Sequence, residues 1–133
     1  LFEDLPRLCP DPALQSRAVA AMKSLLWDAK DDFARTVYKA GVVLGGHVPS
    51  EIGGSVLLEC LRAPSKIGRR AAIHGLFHVV EWSPSLRERV VDALRAHALE
   101  DPEPLLRDYA ACMARDIESG GTDHILEPVF PDE

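Results

Sequence analysis

The stretch Ser65–Trp82, SKIGRRAAIHGLFHVVEW, constrains the chain more than any other segment, because it reads as a helix that is apolar on nearly every side except one polar stripe. Projected at 100° per residue, Ala72, Ile73, Leu76, Phe77, Val79 and Val80 spread over more than a third of the circumference. Arg70, His74, His78 and Glu81 fall in a strip of about 80°. A helix of this kind needs neighbours on both flanks. The polar strip is then left for water, a ligand or internal hydrogen bonds.

Helix starts are legible around it, because a capping residue followed by proline recurs as Asp11-Pro12, Ser83-Pro84 and Asp101-Pro102, while Pro49 and Pro64-Ser65 mark two more. Between these points the apolar residues recur at helical spacing, with no sustained alternation of the kind a half-buried strand needs. The expected class is all-α without strands. The first helix spans about 12–29, with Leu14, Ala18, Ala21, Leu25 and Ala29 inward. The second is opened by Asp31 or Asp32, carries Phe33, Val37, Ala40 and Leu44 inward, and ends where Gly45-Gly46 takes a left-handed conformation. The third spans 49–62 with Ile52, Val56 and Cys60 inward, and the fourth is 65–82. Ser83 caps a fifth with Leu86, Val90, Leu94 and Ala98 inward. Asp101 caps a sixth with Leu106, Ala110, Met113 and Ile117 inward, stopped by Gly120-Gly121. Phe2, Leu5 and Leu8 are expected to cover the open end of the stack. Residues 119–133 form an acidic segment, anchored by Ile125, Leu126, Val129 and Phe130, that lies extended over the last helices or is only partly ordered.

At 133 residues, 47% apolar and 27% charged, the chain fits one helical domain, 1–133, that buries a core without disulfide or metal. Cys9, Cys60 and Cys112 are odd in number and outside any CxxC pair, which fits reduced thiols. No apolar run reaches membrane-spanning length and no signal core opens the sequence, so the expected location is the cytoplasm. The net charge of -6 is unevenly spread: residues 62–97 carry seven basic and three acidic side chains, residues 98–133 two and ten. Acidity overall disfavours nucleic acid. Arg62, Lys66, Arg69 and Arg70 form the one basic patch on which nucleic-acid binding could rest, and the expectation is that the acidic end of the chain neutralises it within the molecule.

Six helices with short joints make three antiparallel pairs, about 12–45, 49–82 and 84–118. Laying Arg69 over Arg107 matches Ala72 to Ala110, Ile73 to Ala111, Leu76 to Ala114 and Val79 to Ile117. The string RRAAIHGLFHVV, followed by SPSLRERVVDAL and DPEPLLRDYAACM, resembles the HEAT-like helical repeats, including the phycobilisome-lyase type, within the armadillo-type α-solenoids. That resemblance covers 64–118 well and 12–62 loosely. It implies a short right-handed superhelix whose second helices, 32–45, 65–82 and 103–118, line a concave face.

On that face the expected protein-binding ridge is Tyr38, Arg70, His74, His78, Asp108 and Asp116, with Arg69 nearby. A rigid stack of this kind offers surface without chemistry, so the leading expectation is a non-catalytic scaffold that binds another protein, with no cofactor. The alternative is a metal site on His74, His78 and Glu81, which share one helical face. HxxxHxxE lacks the adjacent glutamate of HExxH, and the site stays short of ligands unless Cys112 or Asp116 joins from the neighbouring repeat. No nucleophile elbow, Walker loop or dinucleotide glycine pattern occurs. Trp27 and Trp82 stand at helix ends, and the glycines of GGHVPSEIGG read as turn and packing residues.

Overall fold

The computed structural model describes residues 11–29, 33–120 and 125–133. Six α-helices occupy them: α1 Pro12–Trp27, α2 Ala34–Gly46, α3 Ser50–Cys60, α4 Lys66–Trp82, α5 Arg87–Glu100 and α6 Pro104–Glu118. There is no strand among the described residues. The expected cover from Phe2, Leu5 and Leu8, the helix start at Asp31 or Asp32, and Gly121 lie outside them.

Two of the anticipated caps form. Asp11 accepts the N–H of Ala13 (2.9 Å), and Ser65 accepts that of Gly68 (3.3 Å). The other two do not. Ser83 closes α4, its own N–H on the Val79 carbonyl, and a 3₁₀ turn over Pro84–Leu86 leads into α5. Asp101 closes α5, its N–H bonded to His97 O, and α6 starts later, with Pro104 in its first turn. In both places the residue that the sequence offers as a cap has its backbone committed to the preceding helix.

Helix α4 is the hub. Twelve of its seventeen residues are buried, and it packs against α1, α2, α3 and α6. Leu76, Ile73, Val79 and Ala72 are fully enclosed, together with Leu44, Leu57, Leu94 and Leu106 from the surrounding helices. Among the described residues no helix is long and apolar enough to cross a membrane.

The inward faces of α5 and α6 follow the expected pattern, with Val90, Leu94, Leu106, Ala110, Met113 and Ile117 buried. On α1 the pattern fails: Met22 and Leu26 go inward, whereas Leu14 and Leu25 are exposed. The helix is apolar on two sides, and the choice is made by contact, since a Cβ on Gly68 would stand 1.8 Å from the Leu26 carbonyl oxygen. Helix α3 behaves likewise. A Cβ on Gly53 would come within 1.7 Å of Leu44 O, so the glycine edge makes the approach; Gly54, Leu57 and Cys60 are buried while Ile52 is exposed. Phe33, expected inward, is also exposed.

Gly45 and Gly46 do not end α2 in a left-handed turn. Both are helical, His47 is the C-cap, and the only positive φ among the described residues is 71° at Gly120. Gly45 instead sits against the backbone of α4, where an added Cβ would lie 2.2 Å from Gly75 O; at Gly41 it would lie 2.7 Å from Ala71 O. Helices α2 and α4 therefore touch backbone to backbone.

Leu76→Ala is expected to cost about 2–5 kcal/mol by lost burial and cavity formation, read by chemical denaturation; a change near zero would contradict the central place of α4. Gly45→Ala separates propensity from packing. Alanine in an isolated helix gains up to about 1 kcal/mol over glycine, yet here its methyl strikes a carbonyl oxygen, and the expected result is a net loss of about 1–3 kcal/mol.

Candidate functional site

The contact of α2 with α4 sets Tyr38, one turn before Gly41, against His74, the residue before Gly75. The tyrosine and imidazole rings stack with centroids 4.7 Å apart, and Tyr38 Oη lies 3.0 Å from His74 Nε2. His74 Nε2 is in turn 3.1 Å from His78 Nε2, and His78 Nδ1 is 3.1 Å from Glu81 Oε1. The result is a hydrogen-bonded chain, Tyr38–His74–His78–Glu81, running from a buried imidazole to an exposed carboxylate. Facing Nε2 atoms at this distance share a single proton, because two N–H groups would oppose each other. When a neutral His78 donates from Nδ1 to Glu81, its Nε2 is the acceptor and His74 supplies that proton.

The same geometry bears on metal binding. Glu81 meets one edge of the His78 ring and His74 the other, so the three do not converge on a common point. Among the described residues no group of three or more His, Cys, Asp or Glu side chains is placed to hold a metal ion. Cys112, which with Asp116 was one of the two residues that a neighbouring repeat could have lent to such a site, takes a contact from Arg115 Nη2 at 3.2 Å.

Arg69 and Arg70 are adjacent and both buried, and they leave the helix in different directions. Arg69 lies outside the ridge. It donates from Nε to Asp101 Oδ2 (2.9 Å), from Nη2 to Asp101 Oδ1 (3.3 Å) and from Nη1 to the carbonyls of Ala63 and Pro64, while His97 Nε2 reaches Asp101 Oδ2 at 2.5 Å. This buried clasp ties α4 to the α5–α6 joint.

Arg70 serves the polar stripe. Its guanidinium pairs with Glu127 Oε1 (3.0 Å), donates to Pro128 O (2.9 Å) and grips both oxygens of the Glu133 carboxylate. Lys66 Nζ binds both oxygens of Asp132 at 2.8 Å. Between the two cations sits Phe130, 2% exposed, its ring centroid 4.7 Å from Lys66 Nζ and 5.2 Å from Arg70 Cζ. The segment Ile125–Glu133 has no regular secondary structure apart from a turn at 131–132, and it lies on α4. The expected internal neutralisation of the basic patch is realised at Lys66, Arg69 and Arg70, leaving Arg62 exposed.

Between α2 and this strap runs a groove of about 540 Å³, lined by Arg35, Tyr38, Lys39, Arg70, His74 and Glu127 among others. Arg35 and Lys39 are exposed on its rim. Of the remaining ridge residues, His78 is half-buried, and on α6 Asp108 is exposed and Asp116 half-buried. Glu127, Phe130, Asp132 and Glu133 were not anticipated as part of the site. Their signal in the sequence is the opposite charge of 62–97 and 98–133, with Phe130 the single aromatic residue of 119–133.

Charge states follow from these contacts. The hydrogen bond from Arg70 holds the Glu133 carboxyl below its ordinary value, and the one from Lys66 does the same for Asp132. Burial pushes Glu127 up against the pull of Arg70. Burial, with the charge of Glu127 nearby, also raises the Tyr38 and Tyr109 hydroxyls. Tyr109 Oη and Glu127 Oε2 are both buried without a hydrogen-bond partner among the described residues.

The lowered acids contribute to docking of the strap above their ordinary values, and that contribution is lost as pH falls through their lowered ones; the raised Glu127 works in the opposite sense and is outnumbered. Protection of the Ile125–Glu133 amides, followed by hydrogen exchange corrected for intrinsic rates, is therefore expected to hold from neutral pH to about 5 and to fall below about 4, with the α4 amides still protected. Equal loss in both places would show that the strap does not release as a unit.

Comparison with protein-family models, with curated proteins and with solved structures gave no match to this chain.

Proposed function

We propose that the chain is a non-catalytic helical-repeat module of the cytoplasm that binds another protein along the ridge formed by α2, α4 and α6. In this reading α1–α2, α3–α4 and α5–α6 are three antiparallel pairs of a short right-handed superhelix. The packing of α4 against both α2 and α6 supports that order.

The observation that carries the proposal is the strap itself. Helix α4 already receives a stretch of polypeptide, taking a backbone carbonyl and two carboxylates on Arg70, a third carboxylate on Lys66 and an aromatic ring between them. These are contacts that hold one polypeptide on another. Beside them Tyr38 and His74 supply a rigid, partly apolar wall, and Arg35 and Lys39 supply positive charge at the rim. The metal reading is weakened by the divergence of His74, His78 and Glu81, and the nucleic-acid reading by the pairing of Lys66, Arg69 and Arg70 with acids.

Reversal of the exposed rim charges, Arg35→Glu with Lys39→Glu, tests it without disturbing the core. Proteins retained by the immobilised wild-type chain are expected to fall at least about tenfold in yield on the variant, with the unfolding midpoint essentially unchanged. An identical retained set on the two proteins would overturn the reading.

A further inference from the structure

We infer that the face of α4 on which Ile125–Glu133 lies, with the groove left open between that segment and α2, is a receptor for acidic peptides carrying an aromatic residue among their carboxylates, and that the segment is its resident competitor. The inference rests on the protein-binding reading above and gives the partner its chemistry.

The first support is the burial of Arg70. The side chain is 4% exposed and cannot shed its charge, so it needs carboxylate or carbonyl partners at all times. Among the described residues the segment supplies all of its hydrogen-bond and ion-pair partners: Glu127, Pro128 O and Glu133. Anything that replaces the segment has to bring acids of its own. Phe130 makes the same demand for an aromatic ring, because its departure uncovers the stems of Lys66 and Arg70 and the apolar surface under them.

The second support is that the resident fits imperfectly. Glu127 Oε2 and Tyr109 Oη are buried without a hydrogen-bond partner among the described residues, and an unmet polar atom in a dry place weakens the docked state. Leu126 and Val129 face solvent at 90% and 73% exposure, so half the apolar side chains of the strap contribute little to holding it. A peptide that brings an acceptor to Tyr109 Oη and no buried unmet oxygen of its own gains over the resident.

The third support is room beside the strap. The groove is open along Arg35 and Lys39, two exposed cations without an ion pair among the described residues, and an incoming acidic chain can engage them before the resident leaves.

The test uses the full chain and a fluorescein-labelled peptide of sequence ILEPVFPDE, read by fluorescence anisotropy. In the wild type the tethered segment competes at an effective concentration of about millimolar, so binding is weak. Asp132→Ala with Glu133→Ala loosens the resident and leaves the receptor intact, and it is expected to tighten peptide binding at least about tenfold. Phe130→Ala provides a second loosened protein, with helicity by circular dichroism as the control for folding. Arg70→Gln in the Asp132→Ala, Glu133→Ala background is expected to abolish the signal, and a peptide with its phenylalanine replaced by alanine is expected to bind at least about tenfold more weakly. Helical, loosened proteins that bind no better than the wild type would overturn the inference. So would indifference to the peptide's aromatic residue, or a concentration-dependent dimer of the wild type in sedimentation, which would make the segment an exchange element between copies. Should the rim-charge variant lose its partners while the loosened chain ignores the peptide, the groove binds proteins of another chemistry and only this inference falls.

Discussion

The structure depends on the direct approach of two helix backbones. Where α2 crosses α4, Gly41, Gly45, Ala71 and Gly75 leave no side chain large enough to hold the helices apart, and the carbonyls of Gly41, Ala71 and Gly75 lie where a β-carbon would otherwise be. Such a contact brings the two helix axes close together, and it fixes the register of one helix on the other to within a fraction of a turn. Because of that register the Tyr38 ring stacks on His74, and the groove has a rigid wall.

Two buried arginines then distribute α4 between structure and site. A charge taken out of water is tolerated only when its donors are met, and removing one partner of such a pair costs about 3–5 kcal/mol, more than most single packing contacts. Arg69 satisfies the requirement inside the fold, through the Asp101 carboxylate, which His97 also contacts, and two carbonyls, and so joins the first four helices to the last two. Arg70 satisfies it with a segment that carries no regular secondary structure. One requirement produces a clasp between helices on one side of the helix and a clasp on the segment Ile125–Glu133 on the other. The difference lies in the partner: Asp101 is anchored between two helices, whereas Glu127 and Glu133 belong to a segment without regular secondary structure.

The histidine chain occupies the space between these arrangements. Tyr38, His74, His78 and Glu81 satisfy one another along a line, which keeps the polar stripe compatible with a mostly apolar helix. With its members paired in series, the stripe serves as a positioned wall of the groove. In the proposed protein-binding role, specificity would come from shape and from the fixed direction of the Tyr38 ring, while Arg35, Lys39, Lys66 and Arg70 would supply attraction.

The sequence by itself determined the helical class, the span of α4, its single polar stripe, and the inward faces of α5 and α6, because each of these follows from periodicity and capping within one segment. The opposite charges of 62–97 and 98–133 also announced internal neutralisation of the basic patch. Only the tertiary structure decided that α1 buries Met22 and Leu26 rather than Leu14 and Leu25, that Ser83 and Asp101 close helices instead of opening them, that Gly45 packs in mid-helix, and that Arg69 and Arg70 part company. A helical wheel gives the angle at which a side chain leaves its own axis. Which neighbour stands at that angle, and how near its backbone comes, is settled by the crossing of helices far apart in the chain.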